Sequence, residues 1–331
     1  MAALELSLIM GANDRSLPVL NGTVKPDGID LTSTVAHPSE IFWRQLHFKE
    51  FVVSEMSLSS LLMAMAHGNR DWIALPIFTS RRFFHTGAWV RAQSGIEKPE
   101  DLKGKRVGVP EYQQTAALWS RGVLKHEFGV EPQDLEWWME RTEERSHGGA
   151  TGFEPPKGIR FHRIPADQNI GSMLLDGKLD ATLLYLTNNN LVDRSRVTLE
   201  GNPEFRLLFP NPAAEGTRYF QKTGIFPINH GMVVRRSIYE KHPWVPLNIF
   251  NAFREAKERI AARTRELVST HLELGLLGPE ARKALAVDVY PYGVKSNQKV
   301  LETVAEYSYE QGLTPRLMHM DEIFAPSTLD L

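Results

Sequence analysis

No cysteine occurs among the 331 residues. That absence removes disulfide cross-links, thiolate nucleophiles and cysteine metal sites in one step. Also missing is any apolar stretch of the roughly eighteen residues that a membrane span needs. Charge of one sign is not in excess: 38 basic against 40 acidic residues leave a formal net charge of −2. The chain therefore lacks the basic surplus of nucleic-acid binders and the lysine-rich run of membrane-surface proteins. The opening "MAALELSLIMGANDRS" has neither the basic n-region nor the long apolar h-region of a secretory leader. These features predict a cytoplasmic protein with no nucleic-acid and no membrane partner. Neither HExxH nor His-x-His spacing occurs, so no metal site is signalled.

What is present is ordinary for a globular protein: 42% hydrophobic and 24% charged residues. The length exceeds that of a single hydrophobic core and predicts two lobes. Apolar runs and helical spacings alternate. "LELSLIMG" and "IDLTSTVA" read as strands, and "PSEIFWRQLHF" as a helix with Ser39 as N-cap. "EFVVSEMS" reads as a strand, "SLSSLLMAMAHG" as a helix stopped at Gly68, and "DWIALPIF" and "GAWVRA" as strands. From Pro99 the pattern restarts with the strand "KRVGVP" and the helix "QQTAALWSRGVLKHEFG". "RTEERSHGGATGFEPPKG" is polar with Gly and Pro and predicts an exposed excursion. "GMVVRR" reads as a late strand, followed by helices from Pro243 to about Gly278 and from about Ser296 to Gly312. Strands separated by helices argue for parallel α/β organisation. We expect a first lobe from 1–108, a second from 109–226, and a return to the first with C-terminal helices over 227–331.

In open α/β lobes ligands bind beyond the carboxyl ends of the strands. Polar groups fall there repeatedly: "NDR" with Arg15, "SEMS" with Glu55 and Ser57, "SRRFFH" with Arg81, Arg82 and His85, and "PEYQQT" with Glu111, Gln114 and Thr115. "INH", with Asn229 and His230, precedes the late strand at the expected hinge. The planar fork of arginine matches a carboxylate. Arg81 and Arg82 are adjacent, so on an extended segment at most one reaches a ligand while the other braces a loop carboxylate. Ser57 suits the N-cap of the helix after it, which aims N–H groups at an anion. Of the eleven histidines, His126, His162 and His242 sit in ordinary amphipathic settings. His85 and His230 stand apart because each lies among polar residues at a strand end or hinge.

The phrases "KPEDLKGKRVGVP" and "LLDGKLDATLLY" resemble signatures of the type II periplasmic-binding-protein-like folds. The whole chain resembles the 4,5-dihydroxyphthalate decarboxylase family through "NDRSLPVLNGTVKPDGIDL", "FVVSEMSLSSLL", "LPIFTSRRFFHTG", "GVPEYQQTAALWSRG", "GIFPINHGMVVRR" and "EIFAPST". The resemblance implies a two-lobed α/β fold with an interlobe cleft, a small aromatic carboxylate as substrate, no cofactor, and a homo-oligomer. It implies arginine holding a carboxylate, an imidazole of His85 or His230 delivering a proton, and Glu55 or the other histidine taking a phenol proton. Phe83 and Phe84 would supply apolar walls. Two rivals stand beside this reading. One is a binding protein that captures a small aromatic or heteroaromatic anion without catalysis. The other is a metal-dependent decarboxylase using His85, His230 and a carboxylate.

Overall fold

The computed structural model describes residues 3–331. Eleven strands form two sheets: β1 (Leu4–Met10), β2 (Ile29–Val35), β3 (Val53–Ser57), β4 (Trp72–Arg81), β5 (Trp89–Arg91), β6 (Arg106–Val109), β7 (Glu136–Met139), β8 (Arg160–Arg163), β9 (Ala181–Thr182), β10 (Phe205–Leu207) and β11 (Ile228–Arg235). The first sheet runs β2-β1-β3-β11-β4, parallel among β1, β2 and β3, with β11 antiparallel to β3 and β4. The second runs β10-β5-β9-β6-β7-β8. β4 opens on an unbroken apolar run, Trp72–Phe78, as expected of a strand covered on both faces, whereas β3 is buried along its whole length although Ser54, Glu55 and Ser57 are polar.

The chain crosses between sheets twice, after Arg81 and again between β10 and β11. The first crossing lies upstream of the boundary expected at 108/109. The short run "AWV" pairs with β9 and β10, so it belongs to the second lobe rather than to the strand it follows. The return falls beside the expected 226/227 boundary.

Two corrections concern local structure. The helix Pro38–Phe48 is capped by His37, whose Nδ1 accepts from the Ser39 N–H at 3.3 Å; Ser39 lies inside the first turn. The segment 141–158 is an exposed excursion only in part: Glu143, Glu144 and Arg145 and most of 154–158 are exposed, but its middle is not. Ser146, His147 and Thr151 are buried, and the loop is held against the first lobe. There the Trp43 indole N–H donates to Glu144 O at 2.9 Å, and His47 Nε2 lies 2.9 Å from Ser146 O. Polar sequence here reflects internal hydrogen bonding rather than solvation.

One apolar core spans both lobes and includes Phe42, Leu61, Phe78, Val107, Trp119 and Trp137. A second, with Leu8, Ile77, Val234, Ile249 and Phe253, packs the other face of the first sheet under the helix Val245–Glu273. Only the first half of that helix is buried. Its remainder and the helix Pro279–Ala286 project as an arm.

Candidate functional site

A cavity of about 220 Å³ lies between the lobes. That exceeds the roughly 150 Å³ hollow known to accept benzene, so one substituted ring fits. Other hollows on the molecule are larger, but this one gathers chemistry-bearing groups from both lobes. Ser57, Arg82, Gln114, Thr115, Asn229 and His230, all expected at the site, line it. Phe42, Phe84, Leu184 and Leu186 form its apolar walls, and His37, Ser39, Ser80, Arg141 and His147 complete its polar lining.

Asn229 and His230 face the cavity together for a structural reason. Consecutive residues of a regular strand point to opposite faces. The β11–β4 pairing, however, shifts register between Ile228 and His230 and twice more by Met232. Such bulges re-aim side chains next to functional sites. Pro76 is tolerated in the partner strand because β4 is the sheet edge. The outcome is a buried imidazole–carboxylate pair at the cavity floor. His230 Nδ1 donates to Glu55 Oε1 at 2.9 Å, and the Asn229 amide N–H donates to His230 Nε2 at 2.7 Å. Glu55 is nearly inaccessible and also accepts from Thr79 Oγ1 at 2.6 Å and from the Gly11 N–H at 2.7 Å. Burial alone would raise its pKa, but the hydrogen bonds from His230, Thr79 and Gly11 outweigh burial and hold it below the ordinary value. Glu55 is therefore a carboxylate that orients His230; it does not line the cavity.

The helices Leu58–Ala66 and Thr115–Phe128 both begin at the cavity, with N-caps Ser57 and Gln114 that make no side-chain cap bond. Two positive helix ends thus converge on one hollow, an environment that favours an anion. Arg82, at the end of β4, is exposed and has no side-chain hydrogen bond or ion pair among the described residues. Arg141, after β7, is buried, with Nε and Nη2 on Asp193 Oδ1 at 2.8 and 2.7 Å. Burial would lower its pKa, yet Asp193 and Glu111 raise it, so it stays a cation. His37 is half-buried, and burial pushes it below its ordinary value of 6.5.

Four expected residues lie elsewhere. Arg81 points away from the cavity, as strand alternation requires. Its guanidinium braces Phe226 O, Pro291 O and Asn297 Oδ1, all carbonyl oxygens rather than the loop carboxylate expected. His85 sits in the turn Phe84–Gly87, which reverses its direction toward the helix Pro212–Thr223. Its Nε2 lies 3.1 Å from Glu215 Oε1, among Phe83, Phe209 and Tyr219. Phe83 follows it, and only Phe84 reaches the cavity. Arg15 is carried by the turn Asp14–Ser16 beneath β4. There it donates to Thr79 O at 2.8 Å and stacks over Tyr290 at 3.7 Å, lining a different hollow. Glu111 stands one layer back, with Oε2 at 3.0 Å from His147 Nε2.

The residues not anticipated are His37, Arg141 and His147. The strand-end rule, carried to β7, points to Arg141. The one signal near His147 is the glycine after it: a Cβ on Gly148 would stand 2.9 Å from Gln113 Nε2 and 3.2 Å from Phe153 Cδ1, so the loop is closely packed at this point. Among the described residues no group of three His, Asp or Glu side chains is placed to hold a metal ion.

No protein-family model matches the chain. The solved structure of the periplasmic aliphatic sulphonate binding protein SsuA from Escherichia coli shares the fold. Its TM-score is 0.54 at 15% identity, over 98% of this chain and 92% of that one. The fold is thus the two-lobed periplasmic-binding-protein type, which does not by itself assign an activity. A Pseudomonas putida 4,5-dihydroxyphthalate decarboxylase is 37% identical over 183 residues, 55% of this chain and 71% of the relative. A Comamonas testosteroni protein of the same name is 32% identical over 333 residues, covering 100% of this chain and 99% of that one. On that full-length match, the chain belongs to the 4,5-dihydroxyphthalate decarboxylase family.

Proposed function

We propose that the interlobe cavity decarboxylates 4,5-dihydroxyphthalate, or a close hydroxylated aromatic acid, to 3,4-dihydroxybenzoate and carbon dioxide without oxidation. The observation that carries this reading is the Glu55–His230 pair at the floor of an anion-attracting hollow. Each ring carboxylate of that substrate is para to a hydroxyl. When substrate displaces the Asn229 amide from Nε2, His230 Nε2 takes the hydroxyl proton, and the resulting imidazolium is stabilised by the Glu55 carboxylate. Electron density then rises on the carbon bearing the para carboxylate. That carbon gains a proton, its bond to the carboxylate breaks, and the bonding pair returns to the ring as carbon dioxide leaves. His230 gives its proton back to the phenolate. One proton is consumed overall, at the ring carbon.

Arg82 holds the carboxylate that stays, and Arg141 carries positive charge on the opposite wall. Phe42, Phe84, Leu184 and Leu186 make the reacting end less hospitable to a carboxylate than to neutral carbon dioxide. Nothing in this sequence of steps needs an organic cofactor, because the ring relays its own electrons.

The test is to incubate chelator-treated protein with 4,5-dihydroxyphthalate and follow released carbon dioxide and the ultraviolet spectrum. Turnover supports the reading and separates it from a metal-dependent one. Binding without carbon dioxide release supports anion capture instead. We also propose that the protein is a homo-oligomer located in the cytoplasm. The oligomer is supported by the projecting arm, on which Leu267, Leu274, Leu276, Val287 and Val289 are exposed. Light scattering and cell fractionation test these two points.

A further inference from the structure

The ring carbon needs a proton, and His230 is occupied with the hydroxyl. A second hydrogen-bonded chain reaches the same cavity from behind. Glu111 Oε2 lies 3.0 Å from His147 Nε2. His147 Nδ1 lies 3.2 Å from Ser60 Oγ, and Ser60 Oγ donates to Ser57 Oγ at 3.1 Å. Ser57 and His147 line the cavity, whereas Ser60 and Glu111 are inaccessible. Ser57 lies beside His230 in the β3–β11 register, so the two groups present themselves as neighbours at the cavity floor. Ser57 Oγ is also 2.9 Å from Thr115 Oγ1, which accepts the Ser59 N–H and fixes the end of the chain.

We propose that Glu111, His147, Ser60 and Ser57 form a proton relay that delivers the ring-carbon proton in the decarboxylation; this rests on the reading above. Ser57 Oγ–H passes its proton to the ring carbon. The Ser60 hydroxyl proton moves to Ser57, the His147 Nδ1 proton to Ser60, and the Glu111 carboxyl proton to His147 Nε2. A C–H bond forms, the C–C bond to the carboxylate breaks, and its electron pair stays with the ring. Glu111 is left as a carboxylate and regains a proton from water after carbon dioxide departs. That step accounts for the one proton consumed, and no oxidant is needed.

The surroundings favour a donor at the far end. Burial raises the Glu111 pKa despite Arg141, whose Nη1 is 3.8 Å away, and burial together with Arg141 drives His147 well below its ordinary value. The pair therefore favours a protonated carboxyl beside a neutral ring. The Gln113 amide and the His147 N–H, the latter at 3.0 Å, donate to Glu111 and steady the carboxylate once its proton has gone. Asp193 and, from the helix Pro38–Phe48, His47 are the other titratable groups facing this cluster.

Glu111→Gln keeps the bonds to the His147 ring and backbone N–H but carries no transferable acid proton, and Ser60→Ala breaks the chain without touching substrate. With 4,5-dihydroxyphthalate, both variants are expected to bind and ionise the ring, giving the phenolate spectrum with KM near wild type. Carbon dioxide release should fall about a hundredfold. The wild-type rate should decline at alkaline pH as Glu111 loses its proton, and that decline should vanish in Glu111→Gln. Wild-type kcat in Ser60→Ala, or bound substrate left un-ionised in it, overturns the relay. Should Glu111→Gln not fold, Ser60→Ala alone decides. A wild-type protein inert toward the substrate overturns the decarboxylase reading beneath it.

Discussion

At the scale of single residues, function rests on which polar groups are occupied and which are free. Glu55 already accepts three hydrogen bonds and stands behind His230, so its contribution is orientation and charge. Glu55→Gln should leave KM near its wild-type value and lower kcat about a hundredfold, measured by steady-state carbon dioxide release. Arg82 has no partner of its own, and its loss should appear in binding. Arg82→Ala is expected to raise KM tenfold or more, as loss of a charged hydrogen bond worth about 1.5–3 kcal/mol implies, with a smaller change in kcat. Strand ends and the hinge pointed to Arg82, Asn229, His230 and Ser57 because α/β topology itself places such positions at the cleft. His85 and Arg15 were invisible as bracing groups, and which of Arg81 and Arg82 would brace was open, because tight turns and strand alternation, not residue type, decide where each side chain points. His147 was hidden for the opposite reason: a polar loop buries itself when buried acceptors such as Glu111 receive its backbone.

At the scale of elements, two contacts hold the frame around the cavity. The helix Thr115–Phe128 packs on the helix Gln298–Glu310 through Gly122, where an added Cβ would stand 2.1 Å from Tyr307 Cδ2. The Tyr307 ring is boxed in by Trp119 and His126, at 5.4 and 5.0 Å between centroids. Alanine would gain about 1 kcal/mol of helix propensity. The overpacking penalty of about 1–3 kcal/mol is the larger effect at so close an approach. Gly122→Ala should therefore lower Tm, and a raised Tm would contradict this packing. The second contact joins the turn Phe84–Gly87 to the helix Pro212–Thr223 through His85 and Glu215. Burial opposes ionisation of Glu215, but hydrogen bonds from Arg218 and His85 bring its pKa from 4.5 down to about 2. Its stabilisation is present above about pH 4.5 and is lost as pH falls toward 2. Glu215→Gln should flatten the dependence of Tm on pH across that window, and an unchanged slope would show that the pair does not stabilise the fold.

At the scale of the molecule, the order of elements was legible and the point of crossing was not. Alternating strands and helices gave two α/β lobes, but a three-residue strand such as β5 carries too little pattern to announce its sheet. The projecting arm was read only as helix, since periodicity does not tell an exposed helix end from a buried one. If its apolar residues meet a second copy, Leu276→Asp should shift the protein to a smaller species in light scattering while leaving the cavity intact. The two-lobed frame brings residues from both sheets to one hollow, and the central claim is that ring protonation occurs there. The most direct measurement is turnover of 4,5-dihydroxyphthalate in deuterium oxide, with the product read by proton resonance. The account predicts one carbon dioxide per 3,4-dihydroxybenzoate and one deuterium on the ring carbon that lost its carboxylate. Substrate bound and recovered unchanged, or product without deuterium at that carbon, would contradict it.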